Sequence, residues 1–107
     1  MKAPADCQSM QELRVQIDAL DAEIVAKLAA RARYIDRAVV LKQGENLPAR
    51  ITDRVEDVVA KVRARAVTEA LDPVLVEDLW RRLIEWSIAR EEQVLGVGTP
   101  LKGHDDG

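Results

Sequence analysis

The sequence has no phenylalanine, one cysteine and one histidine among its 107 residues. Cys7 alone can form neither an intrachain disulfide nor a zinc cluster. His104 lies near the C-terminus, outside every predicted helix, so no folded element offers a histidine as general base. The sequence also has no glycine-rich phosphate loop and no metal-ligand cluster. We therefore predict a protein without a metal site or cofactor.

The sequence also lacks a long apolar run and a strong excess of one charge. No stretch approaches the ~20 apolar residues of a transmembrane helix, and residues 1–7 show no signal-peptide pattern. A formal charge of −3 gives no general reason to bind nucleic acid or an anionic membrane. Hydrophobic residues make up 48% and charged residues 33%, as in an ordinary small globular domain. We expect a cytoplasmic protein with no nucleic-acid or membrane partner.

The first of three predicted helices is unusually long. Ser9 and Glu12 have the spacing of a capping box, and no glycine or proline follows until Gly44. A helix over residues 10–42 would be ~50 Å long, whereas a globule of this size is only ~26 Å across. This helix must therefore be kinked or be covered by another chain, and its continuous apolar stripe favours a homodimer.

The second predicted helix follows a break at residues 43–48, where glycine and proline interrupt the pattern. It is expected to begin near Thr52 or Asp53, either of which can act as its cap. Its many β-branched residues weaken the helix propensity, but the absence of strict alternation still favours a helix over a strand. Its apolar face is expected to contain Val55, Val58, Val59, Val62, Ala66 and Val67.

The third predicted helix has clear signals at both ends. Asp72 is a good N-cap, Pro73 suits the first helical position, and Gly96 suits the end. Its inner face is expected to contain Val76, Leu79, Trp80, Leu83, Ser87, Glu91 and Val94. The sequence thus predicts an all-α domain of one long and two shorter helices over residues 1–95. Residues 96–107 are predicted to be a disordered tail.

Two cations lie on the apolar stripe of the first predicted helix. In steps of three or four, the stripe reads Leu13, Ile17, Leu20, Ile24, Leu28, Arg31, Ile35, Ala38 and Lys42. Eleven residues at ~100° each bring Lys42 back to within about 20° of Arg31. Because an unpaired buried charge costs several kcal/mol, this pattern predicts a bound anion beside the two side chains.

The third predicted helix has a similar anomaly at Ser87 and Glu91, one turn apart on its apolar face. Ser87 alone is easily accommodated by a hydrogen bond to its own helix. Glu91 either forms a buried structural ion pair with Arg31 or Lys42 or belongs to a functional site. We favour the functional site, because buried ion pairs stabilise proteins poorly compared with apolar side chains.

Two further cations would be ordinary solvated charges in isolation. Arg14 is ~100° from the apolar stripe, but in a dimer that edge of the helix could reach the other chain's pocket. Arg54 opens the second predicted helix and could close one end of the same pocket. Several cations, a serine and one carboxyl group suit a small ligand with two carboxylates. They also suit a reaction that needs only a fixed conformation and charge stabilisation.

These residues resemble the all-helical (type II) chorismate mutases. The resemblance rests on residues 13–21, Arg31 and Lys42, Asp53-Arg54, and residues 85–91, and it extends over about residues 4–95. Residues 1–7 look most like the branch of that family that contains isochorismate pyruvate lyases. The family fold implies an intertwined helical homodimer in which each of the two active sites takes one arginine from the opposite subunit.

The resemblance also implies roles for single residues. Lys42 matches the lysine that contacts a substrate carboxylate and the ether oxygen of the breaking C–O bond. Glu91 stands where many members have a glutamine that donates to this oxygen, and a carboxyl group can donate only when protonated. These two are the predicted catalytic residues. The predicted substrate-binding residues are Arg31 in the same subunit, Arg14 across the dimer, Arg54 and Ser87.

Three hypotheses for the function follow. The first is a chorismate mutase, which rearranges chorismate to prephenate. The second is an isochorismate pyruvate lyase, which makes salicylate and pyruvate, and one protein can have both activities. Ile51 and Val55 are compatible with the lyase, because typical mutases have acidic residues there, around the substrate's 4-hydroxyl. The third hypothesis is a non-catalytic helical module that dimerises and regulates another enzyme.

Overall fold

The computed structural model describes residues 1–98, and these form an all-helical structure. A short 3-10 helix, Pro4–Asp6, precedes three α-helices: α1, Met10–Glu45; α2, Thr52–Thr68; and α3, Pro73–Leu95. The predicted fold class is therefore confirmed. Most of the predicted tail, including His104, lies outside the described residues. Within the described part, no helix is long and apolar enough to cross a membrane.

The chain divides into two compact units within α1. The first comprises Met1–Tyr34, and the second contains the rest of α1 together with α2 and α3. In the first unit the Glu12 amide donates to the Ser9 hydroxyl over 3.1 Å, which confirms this half of the predicted capping box. The Glu12 carboxylate accepts from the amide of Gln8, the residue before Ser9, at 3.0 Å.

The apolar stripe of α1 is largely uncovered in the first unit of a single chain. Its members Ile17, Leu20 and Ile24 are all exposed. Exposed large apolar side chains at one helical spacing are typical of a face that another chain covers. The single chain therefore leaves open the surface for which the sequence predicts a partner.

α1 ends three residues later than predicted, at a left-handed turn formed by Asn46 with φ of 55°. The Leu47 amide donates to the Lys42 carbonyl at 2.9 Å, and the Asn46 amide donates to the Gln43 carbonyl at 3.4 Å. This is the Schellman pattern of a helix C-terminus, with asparagine in the position that glycine usually takes. Gly44 is helical, so its expected role in breaking the helix is wrong.

α2 begins at Thr52 but is not capped by Thr52 or Asp53, as the sequence suggested. Ile51 is its N-cap, and no side chain caps the helix. Asp72 does cap α3 as predicted, because its carboxylate accepts from the Val74 amide at 2.9 Å, and Gly96 ends that helix. The predicted start of α2 is therefore confirmed, whereas its predicted side-chain cap is wrong.

The core of the second unit is a small cluster under α2 and α3. Its buried members are Ala49, Val59, Ile84 and Ile88, with Val55, Val58 and Leu95 packed against them. The predicted inner face of α3 is partly wrong, because Leu79 and Val94 are exposed whereas Ile84 and Ile88 are buried. On α2, Val67 is exposed as well. Ser87 and Glu91, however, are buried on α3 as predicted.

Candidate active site

Lys42 and Glu91 form an ion pair between the end of α1 and α3. Lys42 Nζ lies 2.7 Å from Glu91 Oε1, and the two side chains are 18% and 5% exposed. The same ammonium donates to the Ala49 carbonyl over 2.6 Å. The structure thus brings the two predicted catalytic residues into direct contact in a largely dehydrated environment.

The Lys42 ammonium is the charged group that compensates the buried Glu91 Oε1 atom. Their separation of 2.7 Å is the length of a charge-assisted contact. Buried carboxyl oxygens nearly always have such a partner. Removal of Lys42 would therefore leave a buried carboxyl oxygen without one.

Ser87 precedes Glu91 by one turn on the same buried face of α3 and is 3% exposed. Its hydroxyl donates to the Leu83 carbonyl at 2.9 Å, which is the local hydrogen bond expected of a serine in a helix. Ser87 therefore places a hydroxyl group one turn before Glu91 on this buried face.

The three predicted arginines lie in different surroundings. Arg54, at the start of α2, is exposed and pairs with Asp57 at 2.8 Å, and Asp57 in turn pairs with Lys61 at 3.0 Å. Arg14 and Arg31 belong to the first unit, where Arg14 is exposed and Arg31 is half-buried. The contribution of all three to substrate binding stays a prediction.

Sequence reasoning missed a second ion pair, which joins the residue after Ala49 to α3. Arg50 makes two hydrogen bonds to Glu85 of α3, with nitrogen–oxygen distances of 2.8 and 2.5 Å. The Arg50 guanidinium lowers the pKa of Glu85 below its usual range, so the carboxylate is ionised at neutral pH. The two residues are 35 positions apart, and no spacing rule connects a loop arginine with one of several glutamates on a helix.

A third ion pair joins α1 to α3 within the second unit. Arg90 donates to both carboxylate oxygens of Asp36, over 2.6 and 3.0 Å, and lowers the pKa of that carboxyl group. The same guanidinium lies 5.3 Å from the ring centroid of Trp86. These contacts hold the end of α1 that carries Lys42 against the helix that carries Glu91.

The described residues thus form a helical domain in which a lysine of the first helix contacts a buried carboxyl group of the third. The sequence profile of one family, described as chorismate mutase type II, matches residues 13–92. The chain belongs to this family. The predicted resemblance is therefore confirmed, and the chain is an enzyme of the chorismate mutase type.

Two curated proteins show the similarity in more detail. An isochorismate pyruvate lyase of Pseudomonas aeruginosa is 34% identical over 92 residues, which cover 85% of this chain and 89% of that protein. A T-protein of Haemophilus influenzae is 28% identical over 86 residues, or 80% of this chain but only 23% of that longer protein. Neither similarity supports the alternative of a non-catalytic module.

Proposed function

We propose that the protein rearranges chorismate to prephenate, with Lys42 and Glu91 at the ether oxygen of the breaking bond. The observation that carries this proposal is the largely buried Lys42–Glu91 pair, whose charged atoms lie 2.7 Å apart. In this rearrangement one C–O bond breaks and one C–C bond forms, and no atom enters or leaves. The protein therefore has to fix the conformation and stabilise negative charge on the ether oxygen.

The protonation state of Glu91 decides how this pair treats an anionic substrate. An ionised Glu91 offsets the charge of Lys42 and accepts hydrogen bonds only, so it repels the ether oxygen as charge develops there. A protonated Glu91 leaves the ammonium charge uncompensated and itself supplies a donor. The proposed role of Glu91 at the ether oxygen therefore requires a hydrogen-bond donor at this position.

Glu91→Gln is expected to keep turnover within about tenfold of wild type, whereas Glu91→Leu should lose ~100-fold or more, because glutamine donates a hydrogen bond to the ether oxygen and leucine cannot. The measurement is kcat/KM for chorismate. Glu92→Gln makes the same charge change at the next position of α3 and should leave kcat/KM unchanged. Equal losses in Glu91→Gln and Glu91→Leu would contradict a hydrogen-bond donor at position 91.

The substrate's two carboxylates are proposed to bind to arginines. Arg31 is assigned to one carboxylate within the subunit, Arg14 to the other across a homodimer, and Arg54 and Ser87 complete the site. The exposed apolar stripe of α1 supports the homodimer, since it offers a long surface for a second copy of the chain. The localisation in the cytoplasm stays a prediction from the sequence.

Isochorismate is the second candidate substrate, with salicylate and pyruvate as products. In that reaction the same C–O bond breaks while a ring hydrogen moves to the methylene carbon of the leaving enolpyruvyl group. The half-buried apolar side chains of Ile51 and Val55 favour this candidate, because they offer no partner for a hydroxyl group at ring position 4. The similarity to the Pseudomonas aeruginosa lyase supports it as well.

Product analysis with both substrates tests the proposal. Purified protein is incubated separately with chorismate and with isochorismate, and prephenate, salicylate and pyruvate are quantified. We expect prephenate from chorismate and some salicylate from isochorismate. Salicylate formation with a kcat/KM that dwarfs prephenate formation would make the lyase the main activity. The formation of no product from either substrate would overturn the proposal.

A further inference from the structure

The loop between α1 and α2, residues 46–51, is attached to Lys42 at two points. The Lys42 carbonyl accepts from the Leu47 amide over 2.9 Å, where the loop leaves the helix. The Lys42 ammonium donates to the Ala49 carbonyl over 2.6 Å, where the loop approaches α2. The lysine that is proposed to act at the ether oxygen is therefore held by the loop that follows it.

The Ala49 carbonyl sets the direction of the remaining ammonium protons. An ammonium group has three N–H donors in a fixed tetrahedral arrangement, and Ala49 accepts from one of them. Once that direction is fixed, the other two can only point along a limited set of directions. One side of the group faces Glu91 Oε1 at 2.7 Å, which leaves a donor for a substrate oxygen.

The position of this carbonyl depends on both residues of its peptide group. The peptide unit is planar, so the Ala49 carbonyl moves together with the Arg50 amide. On one side the Ala49 methyl is buried in the cluster with Val59, Ile84 and Ile88. On the other side the Arg50 guanidinium makes the paired hydrogen bonds to Glu85. Glu85 lies two positions before Ser87 and six before Glu91 on α3.

We propose that Arg50 and Glu85 are positioning residues that orient the Lys42 ammonium for the reaction, acting through the Ala49 carbonyl. The pair attaches the loop to α3, the helix that carries Glu91. It thereby fixes the position of the Ala49 carbonyl relative to Glu91. The planar fork of Arg50 suits this task, since two parallel hydrogen bonds fix an orientation as well as a distance. The kinetic part of this inference rests on the proposed function, because it assumes that Lys42 meets the substrate.

Variants of the pair are expected to lose turnover rather than binding. Arg50→Lys keeps the charge but not the fork, and Glu85→Gln keeps the shape but not the charge. A misplaced catalytic group can cost about 100-fold, so we expect kcat to fall ~10- to 100-fold with KM changed by no more than about threefold. Arg50→Glu and Glu85→Arg should each lose turnover when made alone. The double variant that exchanges the two residues should recover at least a third of that loss, measured as the logarithm of kcat.

The matched control is another ion pair formed through two hydrogen bonds and exposed to a similar degree. Arg81 donates to both carboxylate oxygens of Glu56, over 3.2 and 3.0 Å, and so joins α3 to α2. Glu56→Gln should leave kcat within about twofold of wild type, because Arg81 keeps its hydrogen bond to Glu77 at 2.7 Å. Equal losses in kcat for Glu56→Gln and Glu85→Gln would show that any weakened contact between helices lowers turnover, and this would overturn the proposal.

A readout without substrate separates this proposal from the proposed function. The ammonium of Lys42, held by Ala49 and Glu91, should give a slowly exchanging nitrogen–proton NMR signal, which is assigned by its disappearance in Lys42→Met. We expect Arg50→Lys and Glu85→Gln to lose this signal and Glu56→Gln to keep it. If the wild-type protein converts neither substrate, the proposed function is wrong, but the NMR measurement still tests the positioning role of Arg50 and Glu85. A signal that is missing in wild type, or unchanged in both Arg50→Lys and Glu85→Gln, overturns the positioning role.

Discussion

The double variant Lys42→Met with Glu91→Leu is expected to be folded and inactive. The two charged groups are largely buried and 2.7 Å apart, an arrangement that apolar side chains of similar size replace at little cost. We expect a free energy of unfolding equal to wild type or higher by ~1–4 kcal/mol. Turnover should fall at least ~1000-fold, because both proposed interactions with the ether oxygen are removed. Urea unfolding and the product assay measure the two effects.

The single variant Lys42→Met breaks the pair and should be less stable than the double variant. It leaves the Glu91 carboxylate buried without its cation, which should lower the free energy of unfolding by ~3–5 kcal/mol at neutral pH. Arg65→Gln with Glu69→Gln removes an exposed pair and should change stability by less than ~1 kcal/mol. A double variant that is inactive only because it is unfolded would contradict the expectation.

The fold was predictable where short-range hydrogen bonds decide it. The caps of α3 and the start of α1 depend on a side chain and an amide two or three residues away, so their signals are in the local sequence. The end of α1 depends on a left-handed residue, and both Gly44 and Asn46 tolerate that conformation. The start of α2 at Thr52 was predicted as well, but from capping residues that do not cap it, because Ile51 is its N-cap and no side chain accepts from its first amides.

The candidate site was predictable to the extent that helical periodicity exposes misplaced charges. Lys42 and Glu91 each interrupt an apolar face, and pairing between them was one of the two possibilities that the sequence left open for Glu91. The structure shows this contact. The loop contacts were not predictable, because Ala49 offers only a backbone carbonyl and Arg50 finds Glu85 through tertiary packing. Periodicity describes one helix at a time and says nothing about such partners.

Arg14→Ala and Arg31→Ala are each expected to lower turnover by ~100- to 1000-fold, and a mixture of the two chains is expected to recover part of it. If Arg14 acts across a homodimer, a heterodimer of these variants has one site with both defects and one site with neither. Random pairing of equal amounts makes half of the dimers mixed, so about a quarter of the wild-type sites return. The chains are unfolded and refolded together, and turnover is compared with each variant refolded alone.

The control mixture combines Arg31→Ala with Lys42→Met. Both positions are assigned to the same subunit's part of the site, so each site of the heterodimer keeps one defect and no activity should return. Recovery with Arg14→Ala but not with Lys42→Met would establish at once that the protein is a dimer and that the site is shared. Equal failure of both mixtures, with each variant folded by circular dichroism, would contradict the assignment of Arg14 to the opposite subunit. The exposed apolar stripe of α1 would then need another partner, because large apolar side chains at one helical spacing are rarely left in water.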